Sequence, residues 1–160
     1  TSAAPATNSY AAIYERGSAA PSSSAQVTVT SDQAGGTSGG AGLIMRNAMT
    51  AAGGSPAGIA LYVSNSNAVV MAWNASGGRD VDSIHVVPAV FAPVALRLVR
   101  NGASYTGYYS TNGGQSWGLV DTVTLAPDAS ATDQDVGVFH ASGETTWLTT
   151  ATFSGLLVVN

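Results

Sequence analysis

The stretch PVALRLVRNGASYTGYYSTNGGQSWGLVDTVTL, residues 93–125, decides how the chain is read. Val94 to Arg100 alternates large apolar and charged residues, and Asn101-Gly102 supplies the two left-handed positions of a tight turn. Tyr105 to Tyr109 then returns as an aromatic-rich strand, which completes a β-hairpin. Ser110 to Trp117 is a second turn, where glycines accept left-handed backbone and Asn112 reaches the local amides. Val120 to Leu125 follows as a third strand, so the segment is a meander. Side-chain alternation sends Tyr105 and Tyr109 to one face and Tyr108 to the other.

The second turn resembles the Asp-box, Ser-x-Asp-x-Gly-x-Thr-Trp, with Asn112 and Ser116 substituted. A propeller would repeat that box in every blade. This chain carries it once, so it reads as a structural turn with Trp117 packed back over it.

Outward from the meander, the same signals recur. Tyr10 to Glu15 is a short strand, Gly17 to Ser24 a Pro/Ser loop, and Gln26 to Ser31 a half-buried strand with Val27 and Val29 on one face. Ala41 to Asn47 is an apolar run of strand length. Gly58 to Val63 and Ala68 to Trp73 flank the turn Ser64-Asn65-Ser66-Asn67, and Val81 to Val87 ends at Pro88. Past the meander come a strand from Val136 to Ala141 and a closing strand or strand pair from Trp147 to Val159, which Gly155 is expected to bulge. The first nine residues, TSAAPATNS, are small and polar and are expected to be a linker remnant, with one module over residues 10–160.

About ten short strands without a helix predict an all-β fold, two antiparallel sheets packed face to face as a jelly-roll sandwich. At 160 residues, 45% hydrophobic and 9% charged, the chain is of single-domain size and can bury one substantial core. No apolar run approaches the roughly 20 residues that cross a bilayer, so no membrane partner is expected. The net charge is −4, Lys is absent and the five Arg residues are scattered, which excludes a phosphate-binding surface and with it nucleic acid. There is no Cys for a disulfide framework or a thiolate metal site.

Five segments, AGLIMRNAM (Ala41–Met49), GIALYVSNSNAVVMAW (Gly58–Trp73), VALRLVRNGASYTGYYSTNGGQSW (Val94–Trp117), VGVFHASG (Val136–Gly143) and ATFSGLLV (Ala151–Val158), resemble in order and spacing the concanavalin A-like accessory modules of secreted bacterial glycoside hydrolases. The resemblance spans about residues 26 to 159. It implies a concanavalin A-like fold and a non-catalytic role in binding polysaccharide beside a tethered catalytic domain, outside the cell. Ala72 and Asn74 stand where relatives carry outward Gln and Arg.

Glucanases of this fold resemblance place Glu-x-Asp-x-x-Glu on one strand, because acid and nucleophile must flank the sugar. Glu15 and Glu144 lack such neighbours, and the pairs Asp80/Asp82 and Asp133/Asp135 sit in turn-like ground. The strings Gly36 to Gly40 and Gly114 to Gly118 have the Gly-x-Ser-x-Gly spacing but no following helix, so they read as turns. His85 beside Asp82 and His140 beside Glu144 read as polar pairs. Asp32, Asp128, Asp133 and Asp135 are the candidate oxygen donors for a structural Ca²⁺; without ligand-loop spacing, solvated loop acids are the default. No other cofactor is expected. Asn74-Ala75-Ser76 fits a glycosylation acceptor by spacing alone.

Sugar recognition needs a ring to stack on a pyranose and polar groups to orient it. The candidate binding residues are Trp147, Tyr62, Trp73 and Tyr108 with Arg46, Asn74, His140 and Glu144. Trp147, after a polar loop and near His140, is the leading ring. Trp117 reads as turn packing and Arg97 as sheet decoration. The expectation is a monomeric, secreted carbohydrate-binding module. A spacer or adhesion module without a sugar site, or a small glycoside hydrolase, are the alternatives.

Overall fold

The computed structural model describes residues 10–33, 39–49, 58–75, 81, 83–125, 133–142 and 149–160. Eleven strands run in chain order: β1 Ala11–Ala19, β2 Ser22–Gln33, β3 Gly40–Arg46, β4 Gly58–Ser64, β5 Ala68–Asn74, β6 Ser83–Pro88, β7 Val94–Asn101, β8 Ser104–Ser110, β9 Gly118–Thr124, β10 Gln134–Ala141 and β11 Thr150–Val159. They form a six-stranded sheet, β1-β10-β3-β4-β5-β6, and a five-stranded sheet, β11-β2-β7-β8-β9. Every pairing is antiparallel. Among the described residues there is no helix long and apolar enough to cross a membrane.

The core lies between the sheets. Leu43, Met45, Ile59, Leu61, Val69 and Met71 meet Val27, Val29, Leu96, Leu98 and Tyr105, all fully buried. At roughly 25 cal/mol per Å² of apolar surface removed from water, this layer is the main source of stability. A side chain at Gly107 would collide with Met71 and Leu61, so glycine there sets how closely the sheets approach.

The meander forms, with its first turn one residue later than expected: Asn101 ends β7 opposite Ser104 without a left-handed backbone, and β7 and β8 are joined by Gly102-Ala103, where Gly102 has φ +60°. In the following turn Asn112 Oδ1 accepts from Ser110 Oγ and from the Ser116 amide, while its Nδ2 donates to Ser116 Oγ at 2.8 Å. Trp117 lies over Gly114. Gly155 has φ +67° at the register shift between Ser154 and Leu157, where the bulge was expected.

A second expectation fails. Gly17 to Ser24 is not a loop: β1 continues to Ala19 and β2 begins at Ser22. Gly17 takes φ +62° in the irregularity between Glu15 and Ala19, so the strand bends without ending. Ser23 Oγ donates to the Ala20 carbonyl at 2.8 Å, and the Gly102 amide bonds to the Pro21 carbonyl. The polar residues that suggested a loop close a tight turn.

Near the start of β10 the interior is polar. Arg100, 1% exposed, donates to the carbonyls of Ala19 and Gly102 and lies against the Tyr105 ring. Tyr105 donates to Gln134 Oε1, and Gln134 Nε2 to Asn47 Oδ1, both at 2.8 Å. Paired in this way the buried polar groups escape most of their desolvation cost.

Candidate binding faces

The outer face of the six-stranded sheet is built by register. One cross-strand row reads Ala12, Phe139, Gly42, Tyr62, Val70, Val86. Phe139 and Tyr62 sit on strands two apart, roughly 9.6 Å between backbones, too far for rings to meet over an ordinary residue. Gly42 between them removes that obstacle. The rings lean together edge to face with centroids 5.6 Å apart, and a side chain at Gly42 would strike Tyr62. Tyr10 closes on the other side of Phe139, edge to face at 5.9 Å. Gly137, on the next row, is overlain by Tyr14 in the same way.

Beside these rings stands Arg46. One guanidinium nitrogen donates to the Tyr10 hydroxyl at 2.6 Å, while its Nε–H is shielded from solvent and has no partner. Unspent buried donors are rare in folded proteins. Burial pushes the Tyr62 phenol above its ordinary value of 10.0, so it stays a neutral donor and acceptor. Asn74, half-buried, closes the same face on β5 opposite Gly58.

Other candidates go elsewhere. Trp73 falls on the core side of β5, partly buried against the hydrophobic layer, and does not join the Tyr62 face. β5 is buried on both faces over most of its length, so alternation did not separate the two. Tyr108 lies on the other sheet, opposite Arg97 and Leu119. Trp147 and Glu144 lie outside the described residues, as do Asp80, Asp82 and Asp128.

His140 points between the sheets, on the same side of β10 as Val136 and Val138. Its Nε2 is 3.5 Å from Asp32 Oδ1 on β2 and 3.3 Å from Thr149 Oγ1. The sequence suggested Glu144 as its neighbour; the contact found is between sheets, which local spacing does not reveal. Asp32 is 6% exposed at its side chain and neither oxygen accepts a hydrogen bond. Burial raises its carboxyl above the ordinary 3.8, with the His140 attraction pulling the other way. His85 likewise meets Asp121 of the other sheet, Nδ1 to Oδ2 3.4 Å.

Of the four acids proposed for calcium, Asp128 lies outside the described residues and the other three do not gather. Asp135 accepts from the Gly17 and Met49 amides, each at 2.9 Å, and is 4% exposed. It opens β10, whereas the His140 that Asp32 meets is five residues further along, about 17 Å away. Asp133 precedes the strand and is exposed. Among the described residues no group of three metal-ligating side chains comes together.

The feature that local reading underrated is on the five-stranded sheet. Arg97 donates to Gln26 Oε1 through Nε at 3.1 Å and Nη2 at 2.8 Å, and its guanidinium carbon lies 4.2 Å from the centre of the Trp117 ring. Turn packing and sheet decoration are one stacked unit. The register of β2 against β7 brings Gln26 to Arg97, and the turn after β8 brings Trp117 over it.

No protein-family model matches the sequence, and no curated protein does. Solved structures match in shape. The chain is similar to the GH43 protein BlXynB of Bacillus licheniformis, with TM-score 0.70 and 18% identity over 87% of this chain and 27% of that one. It is also similar to xylan beta-1,4-xylosidase of Bacillus halodurans C-125, with TM-score 0.65 and 15% identity over 88% and 28%. Sheep galectin-11 matches with TM-score 0.51 and 9% identity over 94% and 96%. This chain therefore spans about a quarter of the length of the two Bacillus proteins, and what it shares with all three is a β-sandwich fold.

Proposed function

We infer that the chain is a non-catalytic carbohydrate-binding module of concanavalin A-like, jelly-roll type that holds a tethered polysaccharide-degrading domain at its glycan. The observation that carries this reading is the Tyr10–Phe139–Tyr62 cluster with the unspent Arg46 Nε–H beside it. Phe139, 7% exposed, backs the half-buried Tyr10 and Tyr62 rings, which are the ones placed to stack on the apolar face of a pyranose while the Arg46 guanidinium and the Tyr62 hydroxyl orient its hydroxyls. Among the described carboxylates Asp135 is held by two amides, Asp32 and Asp121 stand beside histidines, and Glu15 on β1 and Asp133 before β10 are exposed. An acid and a nucleophile facing one another across a cleft are what a glycosidase of this fold needs. Sandwich folds among the structural neighbours fit a sugar-related role, and the short coverage of the xylosidase chains fits a module within a larger enzyme.

By raising the local concentration of a tethered catalytic domain, even a weak site of this kind is useful. A secreted monomer is the state in which it would act. The test is retention of the isolated chain on insoluble glucans, xylans and chitin, with Tyr62→Ala, Arg46→Ala and Trp147→Ala in parallel. Retention weakened by Tyr62→Ala and Arg46→Ala supports the reading. Retention unaffected by all three removes these sites.

A further inference from the structure

The outer face of the five-stranded sheet has an ordered chemical pattern that the Tyr62 face lacks. One cross-strand row reads Leu157, Gln26, Arg97, Tyr108, Leu119 and crosses all five strands. The row beside it reads Val159, Ser24, Val99, Thr106 along β11, β2, β7 and β8, with Thr122 opposite Thr106 on β9. Hydroxyls recur on its far edges, where Thr122, Thr124, Thr30 and Thr152 are exposed. Leu157 and Leu119 are 56% and 58% exposed, an unusual state for leucine on a sheet with a formed core beneath it.

Arg97 is the one charged side chain in these two rows, and its donors are engaged within the sheet. Gln26 takes two of its N–H groups and the Trp117 ring covers its plane. A guanidinium stacked on one face of an indole fixes that ring and leaves its opposite face as the one available for a ligand. Trp117 also packs near Gly114, in a turn closed by the Ser110, Asn112 and Ser116 bonds. Ring orientation is thus fixed before any ligand arrives, which spares a binding event the cost of ordering it.

We propose that this face, centred on the Arg97-propped Trp117 ring, is a second glycan-contacting surface that lies against the flat, uncharged face of an ordered polysaccharide. It rests on the reading of the chain as a carbohydrate-binding module and adds the class of ligand: a neutral, insoluble, many-chain surface. The rows hold no acid, and their one cation, Arg97, has two donors on Gln26 and its plane on Trp117, which leaves a surface of mainly neutral hydroxyl, amide and apolar groups for a polymer without carboxylate, sulfate or phosphate groups. A five-strand width of roughly 20 Å is broader than a single glycan chain, whereas the Tyr62 face offers a local cluster of rings.

The test uses the chain with Trp117→Ala, Trp117→Phe and Leu119→Asp, and Tyr62→Ala for the other face. Each is partitioned against microcrystalline cellulose, chitin and insoluble xylan particles, and titrated with the matching soluble hexasaccharides. Trp117→Ala is expected to lower particle binding by about tenfold, the size of effect a lost stacking ring gives. Leu119→Asp puts a charge on an exposed position of the same face without touching the core, so it reports even if the Trp117 variant misfolds, and it is expected to act likewise. Trp117→Phe is expected to keep most of the binding. Tyr62→Ala is expected to weaken the soluble ligands as well as the particles, whereas Trp117→Ala and Leu119→Asp are expected to weaken the particles and spare the soluble ligands.

Particle binding unchanged in both Trp117→Ala and Leu119→Asp overturns the proposal while leaving the module reading intact. Binding of soluble hexasaccharides with no binding of any particle overturns the proposal and, with it, the targeting of insoluble glycan. A chain that binds neither overturns both. Trp117-dependent self-association in sedimentation, in place of particle binding, would make this a protein contact and also overturns it.

Discussion

Asp32 is the residue whose surroundings cost the fold most visibly. Its carboxyl is buried, its oxygens accept no hydrogen bond, and its pKa is raised by desolvation although His140 stands 3.5 Å away. A raised folded-state pKa means that the folded protein holds this proton more tightly than the unfolded chain. Stability from this group is therefore highest below the ordinary value near 3.8 and falls as pH rises through the raised one. Asp32→Asn is expected to stabilise the protein at neutral pH by about 1 kcal/mol, roughly 2–4 °C in Tm. The gain should vanish below about pH 4, where wild type is protonated in both states. Thermal melts of both proteins from pH 3 to 8 check this; a difference that persists at pH 3 would contradict it. Tyr105 shows the opposite case, a buried group whose needs are met. Tyr105→Phe strips the hydroxyl from Gln134 Oε1 and is expected to cost about 1–2 kcal/mol in urea denaturation.

Among the elements, the turn between β8 and β9 sets the position of Trp117. Gly114 has φ +88°, a conformation that L side chains rarely adopt, so Gly114→Ala is expected to destabilise by about 1 kcal/mol. It should also disturb Trp117 emission, because the ring packs on that glycine; an unchanged spectrum and midpoint would contradict the account of the turn. This meander was legible from sequence because each part depends on neighbours in the chain: Gly102 for the hairpin, though its turn falls at Gly102-Ala103 with Asn101 still in the strand, Asn112 and the glycines for the second turn, alternation for Tyr108. β1 and β2 were less legible because Ser18, Ser23 and Pro21 look the same in a loop as in a bulged edge strand closed by a tight turn. Hidden altogether were contacts set by register or by the other sheet. His140 with Asp32, Arg97 with Trp117, and Phe139 with Tyr62 across Gly42 join residues between 20 and 108 positions apart, and no local period encodes them.

At the scale of the whole molecule, the sandwich separates two tasks. Its interior supplies stability through one apolar layer and a satisfied polar network, while its two outer faces carry different arrangements of aromatic and polar groups. The expected ligand set is divided accordingly: Tyr62, Arg46 and Asn74 on one face, Tyr108 on the other, and Trp73 and His140 toward the interior. The predicted fold class holds, two antiparallel sheets with no helix among the described residues, since alternation of period two constrains it throughout. The central functional claim is that these faces hold a glycan and leave its bonds intact. It is tested most directly by incubating the isolated chain with insoluble xylan, cellulose and chitin, then measuring protein retained on the particles and reducing ends released into solution. The account predicts retention on at least one of the three with no reducing ends above the protein-free control. Absence of retention on all of them, or sugar released in proportion to the protein added, would contradict it.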